Sequence, residues 1–337
     1  MEFATVNLRI PGPIPVPEDI LAEMAHPMIN HRGPEFKDML FRITDGVKQV
    51  FETKGDVYTM TASGTGAMEA TVVNTLSPGD KVLCVTVGSF GDRYGEIAER
   101  YGAEVTRLAF EWGEAADADR VREAVKQAKY KAVLVTHNET STGVQNDLGA
   151  LAKAIRSESD ALILVDGVSS VASVPVRTDA WDLDVVATAS QKGWMLPPGL
   201  AFVSFSKRAW KAHASSTMPR YYFDLSQYQH YFEIGQPPFT PGLSVYFALD
   251  KALKQLLDEG LGAVYERHAS VAANVRRQVK ALGLALFPVE AAASDTVTAV
   301  RVPEGVDGVK LLSAMRERGV VLAGGHEKLK GKIIRIG

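Results

Sequence analysis

Along the chain, short apolar runs alternate with stretches whose apolar residues recur every three or four positions. "DVYTM" (56–60) reads as a strand and leads through a glycine-containing turn into the helical pattern "SGTGAMEATVVNTL". "KVLCVTVG" (81–88) is a second strand, followed by the helical "DRYGEIAERYG" and a further strand in "AEVTRLAF". "ADRVREAVKQAK" is amphipathic at helical spacing, "KAVLVTHNE" (131–139) is a strand running into a polar loop, and "LGALAKAIRSES" is helical again. "ALILVDGVSS" (161–170), "LDVVATASQK" and "LAFVSFS" complete the set. Strands that are apolar throughout, separated by helices, predict an α/β domain whose mostly parallel sheet is covered on both faces.

Pro and Gly density rises at "IGQPPFTPGLS" (234–244), and one long helix is predicted from about Ser244 to Leu282. Its early part places Val245, Leu249, Leu253, Leu256 and Leu257 on an apolar stripe. Then come "GLALFP", a strand in "DTVTAVRVP", a helix in "GVKLLSAMRERG" and a final strand in "KGKIIRIG", an α+β layer of its own. The expected division is an N-terminal arm (1–15), a large domain (16–245) and a small C-terminal domain (246–337).

Composition narrows the setting. At 46% hydrophobic and 23% charged, the chain has the make-up of an ordinary soluble protein. Net charge is -3 with the signs mixed, so no basic stripe points to nucleic acid or an anionic membrane. The single cysteine, Cys84, lies in the apolar run "KVLCVTV", which leaves no internal disulfide and no cysteine-based metal site. No metal site is expected. The N-terminal "MEFATVNLRIPGPIPVP" lacks the charged-then-apolar order of a signal peptide. No apolar run approaches the ~20 residues of a membrane helix. A soluble, cytoplasmic protein is expected.

Candidate chemistry gathers where the strands end, since ligands of open parallel sheets bind beyond the carboxyl ends. Ser63-Gly64-Thr65-Gly66 follows the first strand and opens a helix, whose free N–H groups and dipole suit a phosphate. Glu139-Thr140-Ser141-Thr142 follows "AVLVTH", Asp166 ends "ALILVD", and Ser190-Gln191-Lys192 follows "DVVATA". Taken singly, each has a plain structural use: a glycine turn, loop hydroxyls, a helix-capping aspartate, a lysine reaching solvent. The turn lacks the dinucleotide and Walker patterns, so a nicotinamide dehydrogenase is set aside. Together, the four suit a cofactor with a phosphate, a protonatable ring nitrogen and an aldehyde. Pyridoxal 5′-phosphate has all three, and its enzymes pair a Schiff-base lysine with an aspartate on the pyridinium nitrogen.

These motifs resemble the class V aminotransferases of fold-type I, in the alanine–glyoxylate and serine–glyoxylate (serine–pyruvate) branch. "PGPIPVP", "HRGPEF", "ASGTGAMEA", "SFGDRYGEIAERYGAEV", "THNETSTGV" and "LVDGVSSV" carry the likeness in its first half. "SQKGWMLPPGLAFVSFS", "FTPGLSVYFAL" and "GKIIRIG" carry it in the second. The resemblance implies a seven-stranded, mostly parallel sheet between helices, with a smaller α+β domain after it. It implies ping-pong transamination from a small L-amino acid, alanine or serine, to glyoxylate or pyruvate. Lys192 would be the catalytic residue, forming the Schiff base and moving the substrate proton. Asp166 would pair with the ring nitrogen, Thr140 would lie near it, Phe90 would stack on the ring and Val168 would pack on its other face. Ser63, Gly64, Thr65 and Gln191 would hold the phosphate. Arg335 would bind the substrate carboxylate, and the backbone of Gly12 would pass close to the substrate. The family's site lies at a homodimer interface, which makes Thr240 the candidate for a phosphate contact from the neighbouring subunit. Gln236 stands where relatives can have Tyr.

Two departures from the family's pattern are visible. Members generally continue with a further helix-containing stretch after the arginine, so the small domain is expected to be short or to lack a tail. Some members have Gly-His where this chain has Gly64-Thr65. Two other classes share the fold. A cysteine desulfurase would need a reactive cysteine on a mobile loop, and Cys84 sits in a strand. A non-catalytic cofactor-binding subunit of a redox complex would have no use for Lys192, Asp166 and Arg335 together.

Overall fold

The strand runs read as continuous apolar segments because both faces of the sheet they form are buried. The computed structural model describes residues 6–337; residues 1–5 of the expected arm lie outside the described residues. In chain order the strands are β1 (Asn7–Arg9), β2 (Asp56–Ala62), β3 (Lys81–Thr86), β4 (Glu104–Ala109), β5 (Ala132–Thr136) and a short hairpin, β6 (Asn138–Glu139) with β7 (Val144–Gln145). They continue as β8 (Leu162–Asp166), β9 (Val185–Ala189), β10 (Gly199–Phe205), β11 (Thr298–Arg301), β12 (Val320–Gly324) and β13 (Ile333–Ile336). Seven of them form one sheet in the order β2-β10-β9-β8-β5-β3-β4. Only β10 runs against its neighbours, so the sheet is mostly parallel, as expected.

Side-chain alternation along these strands builds two cores. Leu83, Val85, Val133, Val135, Ile163, Val165 and Val186 face one side. Their neighbours Val82, Cys84, Ala132, Leu134, Leu162, Leu164 and Val185 face the other. Each fully buried Val, Leu or Ile contributes ~1.5–3 kcal/mol, so a polar residue inside these strands would be costly. In β5 and β8 polar groups are therefore confined to the strand ends, at Thr136 and Asp166.

The predicted single helix over 244–282 is instead two helices, Leu243–Glu259 and Leu261–Ala281. Gly260 between them takes φ +84, a left-handed conformation that favours glycine and ends the first helix. The first of the two seats Tyr246, Leu249, Leu253 and Leu256 in the same core as Ile20, Phe36, Leu40 and Ile43. The expected boundary at 245/246 thus falls inside a helix that packs with the large sheet's covering helices. The small sheet has the order β1-β12-β13-β11. Its edge strand β1 comes from the arm and runs parallel to β12, a long-range pairing with no local signal. No helix among the described residues is long and apolar enough to cross a membrane.

One buried carboxylate ties the root of β9 to its surroundings. Asp184 is fully buried and accepts from the Ile163 backbone N–H at 2.8 Å, from Ser206 Oγ at 3.0 Å and from Arg208 Nε at 2.7 Å. Arg156 Nη2 completes its shell. Asp184→Ala leaves two arginines without their buried partner and is expected to cost about 3 kcal/mol. The check is a urea or thermal unfolding curve; a loss below about 1 kcal/mol would contradict this account.

Candidate active site

The carboxyl ends of the parallel strands open on a cavity of about 290 Å³. Every expected site residue lines it except Arg335 and Thr240. Ser63 is the N-cap of the helix Gly64–Thr75, its hydroxyl accepting from Gly66 N at 3.2 Å. Gly64 and Thr65 form the first turn of that helix, which carries no acidic residue there. Backbone N–H groups therefore face the cavity without a competing carboxylate. A Cβ on Gly64 would come within 2.9 Å of Val168, so only glycine allows the turn to approach the β8 loop.

Asp166 ends β8 and is 4% exposed; its Oδ1 accepts from Val168 N at 3.0 Å. Thr140 lies in the β6–β7 loop and donates to Ser169 Oγ at 2.8 Å. Gln191 and Lys192 follow β9, and the Gln191 Oε1 is buried without a protein partner. Gly12 approaches from the arm. At φ +136, its missing side chain makes room for Lys192: a Cβ there would lie 2.7 Å from the amine. The neighbouring carbonyl of Pro11 accepts a hydrogen bond from Lys192 Nζ. A second cavity, of about 240 Å³, adjoins it and shares Lys192 and Ser169 with the first.

Arg335 sits in β13 behind the Thr140 loop, 6% exposed. Its Nε donates to the Gly324 carbonyl at 2.8 Å and its Nη1 to the Thr140 carbonyl at 2.9 Å. That second bond joins the small sheet to the wall of the cavity. Thr240 is exposed on a loop outside the cavity of its own chain. Gln236 is occupied by Arg32, whose Nη1 donates to its Oε1 at 2.8 Å.

Burial sets the protonation of the three central groups. The Asp166 carboxyl is pushed up to about 7, chiefly by desolvation and further by Glu139, against the Val168 hydrogen bond and the pull of Lys192 and Arg93. The Lys192 amine is lowered to about 8 by burial and the positive Arg335, with Asp166 opposing. Arg335 itself falls to about 10 through burial, with Glu139 acting the other way. A lysine that loses its proton near neutrality can act as a nucleophile or a base.

Several residues at the site carried no distinctive sequence signal. Glu139 is fully buried, its carboxyl pushed up by burial, and it caps the helix Ser89–Arg100 from outside. Its Oε2 accepts from Phe90 N and Gly91 N at 3.0 Å each, and its Oε1 accepts from Ser141 N at 3.0 Å and Ser141 Oγ at 2.6 Å. A Cβ on Gly88 would collide with the Glu139 side chain. The missing N-cap side chain at Gly88 was the one available hint that the cap comes from elsewhere. Asn138 and Arg93 also line the cavity, and His326, just after β12, stands edge-on to Phe90.

A family model described as aminotransferase class-V matches residues 20–332. The chain is 44% identical over 98% of its length, and 87% of the relative's, to the "Soluble hydrogenase, small subunit" of Synechococcus sp. (strain PCC 6716). It is 40% identical over 97% of its length, and 85% of the relative's, to the L-aspartate–glyoxylate aminotransferase of Paracoccus denitrificans. The crystal structure of an alanine–glyoxylate aminotransferase from Nostoc sp. superposes with a TM-score of 0.96 at 30% identity, covering 100% of this chain and 90% of that one.

The lowered pKa of Lys192 has a direct readout. With a midpoint of about 8, the amine is about one-tenth neutral at pH 7 and about nine-tenths neutral at pH 9. Competitive labelling with a small amine reagent should rise through that window at Lys192. Surface lysines should still be rising near pH 10. Arg335→Ala should move the Lys192 midpoint upward, because it removes a positive neighbour. A wild-type midpoint above 10 would refute the desolvation argument.

Proposed function

The chain belongs to the class-V aminotransferases, and from that membership we propose that pyridoxal 5′-phosphate serves its transamination. The amino group of a small L-amino acid, alanine or serine, passes to glyoxylate or pyruvate in two half-reactions. The observation that carries this reading is the pairing of a half-buried, easily deprotonated Lys192 with a buried Asp166 across one cavity. The residues fit the cofactor. The acid-free helix N-terminus after Ser63 suits a phosphate, and Gln191 lines the same cavity with a side-chain amide whose NH2 can donate to it.

When bound, the cofactor supplies an aldehyde and a ring that draws electrons from the substrate Cα. Asp166 would hold the proton on the ring nitrogen. Lys192 would carry a proton between the substrate Cα and the cofactor C4′. Phe90 and Val168 would sandwich the ring, and Thr140 would fix its edge. Arg335 would grip the substrate α-carboxylate with the N–H groups that Gly324 and Thr140 leave free. Gly12 keeps the arm close enough to exclude water above Lys192. We place the site at a homodimer interface, with the exposed Thr240 of each subunit reaching its neighbour's phosphate. We also place the protein in the cytoplasm.

Two other readings gain no support. The Cys84 thiol is buried and pushed up to about 12, so it offers no persulfide-forming nucleophile for a desulfurase. A binding-only subunit, the role that the hydrogenase names suggest, has no need for a clamp such as Arg335 beside Lys192.

Lys192→Ala should lower the turnover number by about 10⁴-fold or more while leaving the circular dichroism spectrum and unfolding midpoint in place. Steady-state transamination by that variant would rule out the proposed role. The donor is identified by mixing the holoenzyme with single amino acids and following the cofactor's visible absorbance. Alanine or serine should change it, and silence from every amino acid would leave the binding-only role standing.

A further inference from the structure

Around the cavity, nearly every charged group has a defined counterpart. Glu139 is satisfied by two backbone N–H groups and by Ser141. On the reading above, Asp166 answers the ring nitrogen, neutral donors answer the phosphate, and Arg335 answers the α-carboxylate. Two basic side chains are left over. Arg93 has no carboxylate within ion-pair distance among the described residues, and its guanidinium lies over the Phe90 ring, 4.9 Å from the centroid. The His326 ring makes no side-chain hydrogen bond among the described residues; it stands edge-on to Phe90, with centroids 5.8 Å apart at 68°.

The two come from different parts of the chain and converge on one aromatic ring. Arg93 belongs to the helix that Glu139 caps, and it lines the cavity. His326 follows the turn that leaves β12. Gly324, the last residue of β12, accepts the Arg335 Nε hydrogen bond, so the clamp and His326 are held by the same few residues. Gly325 fixes the turn, because a Cβ there would collide with the Leu329 carbonyl. The imidazole is partly buried, and burial, Arg335 and Arg93 all keep it toward the neutral form. A neutral imidazole still offers one N–H donor, and a guanidinium offers a planar fork.

We propose that Arg93 and His326 form a second anion subsite, beside Phe90, that receives a carboxylate carried on the substrate's side chain. The proposal rests on the transamination reading and extends its donor class from alanine and serine to acidic amino acids such as aspartate. Arg335 and the Arg93–His326 pair would then hold the two ends of one dicarboxylate. The aromatic edge between them would exclude water and strengthen both contacts.

The test uses the holoenzyme and two single variants, Arg93→Gln and His326→Gln. In the amino-donor half-reaction, the wild type should accept L-aspartate as well as L-alanine. The ratio of kcat/KM for aspartate over alanine should fall about tenfold or more in each variant, the usual effect of losing one hydrogen bond to a charged group. Equilibrium binding of succinate against propionate, measured calorimetrically, gives a readout free of turnover. Succinate should bind more tightly to the wild type, and the margin should shrink in both variants. Wild-type enzyme that uses alanine but not aspartate, or binds succinate no better than propionate, would overturn the subsite and leave transamination intact. An unchanged aspartate-to-alanine ratio in the variants would also overturn it. If no amino acid reacts, transamination itself fails, and the succinate comparison still decides whether the second anion site exists.

Discussion

Taking the Lys192 amine out of water is the constraint around which this structure is arranged. An ammonium group loses much of its hydration between the two cavities that Lys192 lines, and the nearby Arg335 makes the charged form still less favourable. Asp166, more deeply buried, pulls the other way and is itself driven toward its protonated form. The two groups are held within reach of each other's charge with ionisation midpoints brought close together, although an ordinary aspartate and lysine differ by about six units. Keeping that balance requires a lid. The arm supplies it: β1 joins the small sheet beside β12, Gly12 passes over the lysine without a Cβ, and Gly337 N donates to the Arg9 carbonyl at 3.0 Å.

The sheet explains why these groups can meet at all. The sheet's central strands β5 and β8 are apolar on both faces up to their last residue, so the chemistry they carry sits at or beyond their ends. Six of its seven strands run in one direction and deliver those ends to the same rim. Glu139 converts this rim into a rigid frame. It anchors the start of the helix that carries Phe90 and Arg93, while the next residue, Thr140, offers its carbonyl to Arg335. One loop of four polar residues therefore connects the large sheet, an aromatic wall and the small sheet's arginine.

Much of this was legible before any coordinates. Strand positions followed from unbroken apolar runs, and Ser63, Asp166 and Lys192 stood out because polar residues end those runs. The break at Gly260 has no signal in the pattern, since "DEGLGAV" keeps helical spacing on both sides of the glycine and periodicity alone does not report φ. Phe90 and Arg335 carried no local mark of a site and entered the reading only through family likeness. Glu139 looked like one polar residue among several in a loop, because its four hydrogen-bond donors lie two residues away or about fifty residues upstream. Thr240 lies on an exposed loop outside the cavity.

What the sequence determined by itself was the α/β layering, the polar strand ends and the chemical types gathered there, since hydrophobic periodicity and residue chemistry are local properties. Only the tertiary structure decided the ionisation of Lys192 and Asp166, the lid made by the arm and the convergence of Arg93 and His326 on the Phe90 ring. Those depend on which distant segments remove water from a group and which charges they bring near it. Desolvation and Coulomb interactions act through space, and no spacing along the chain encodes their distances.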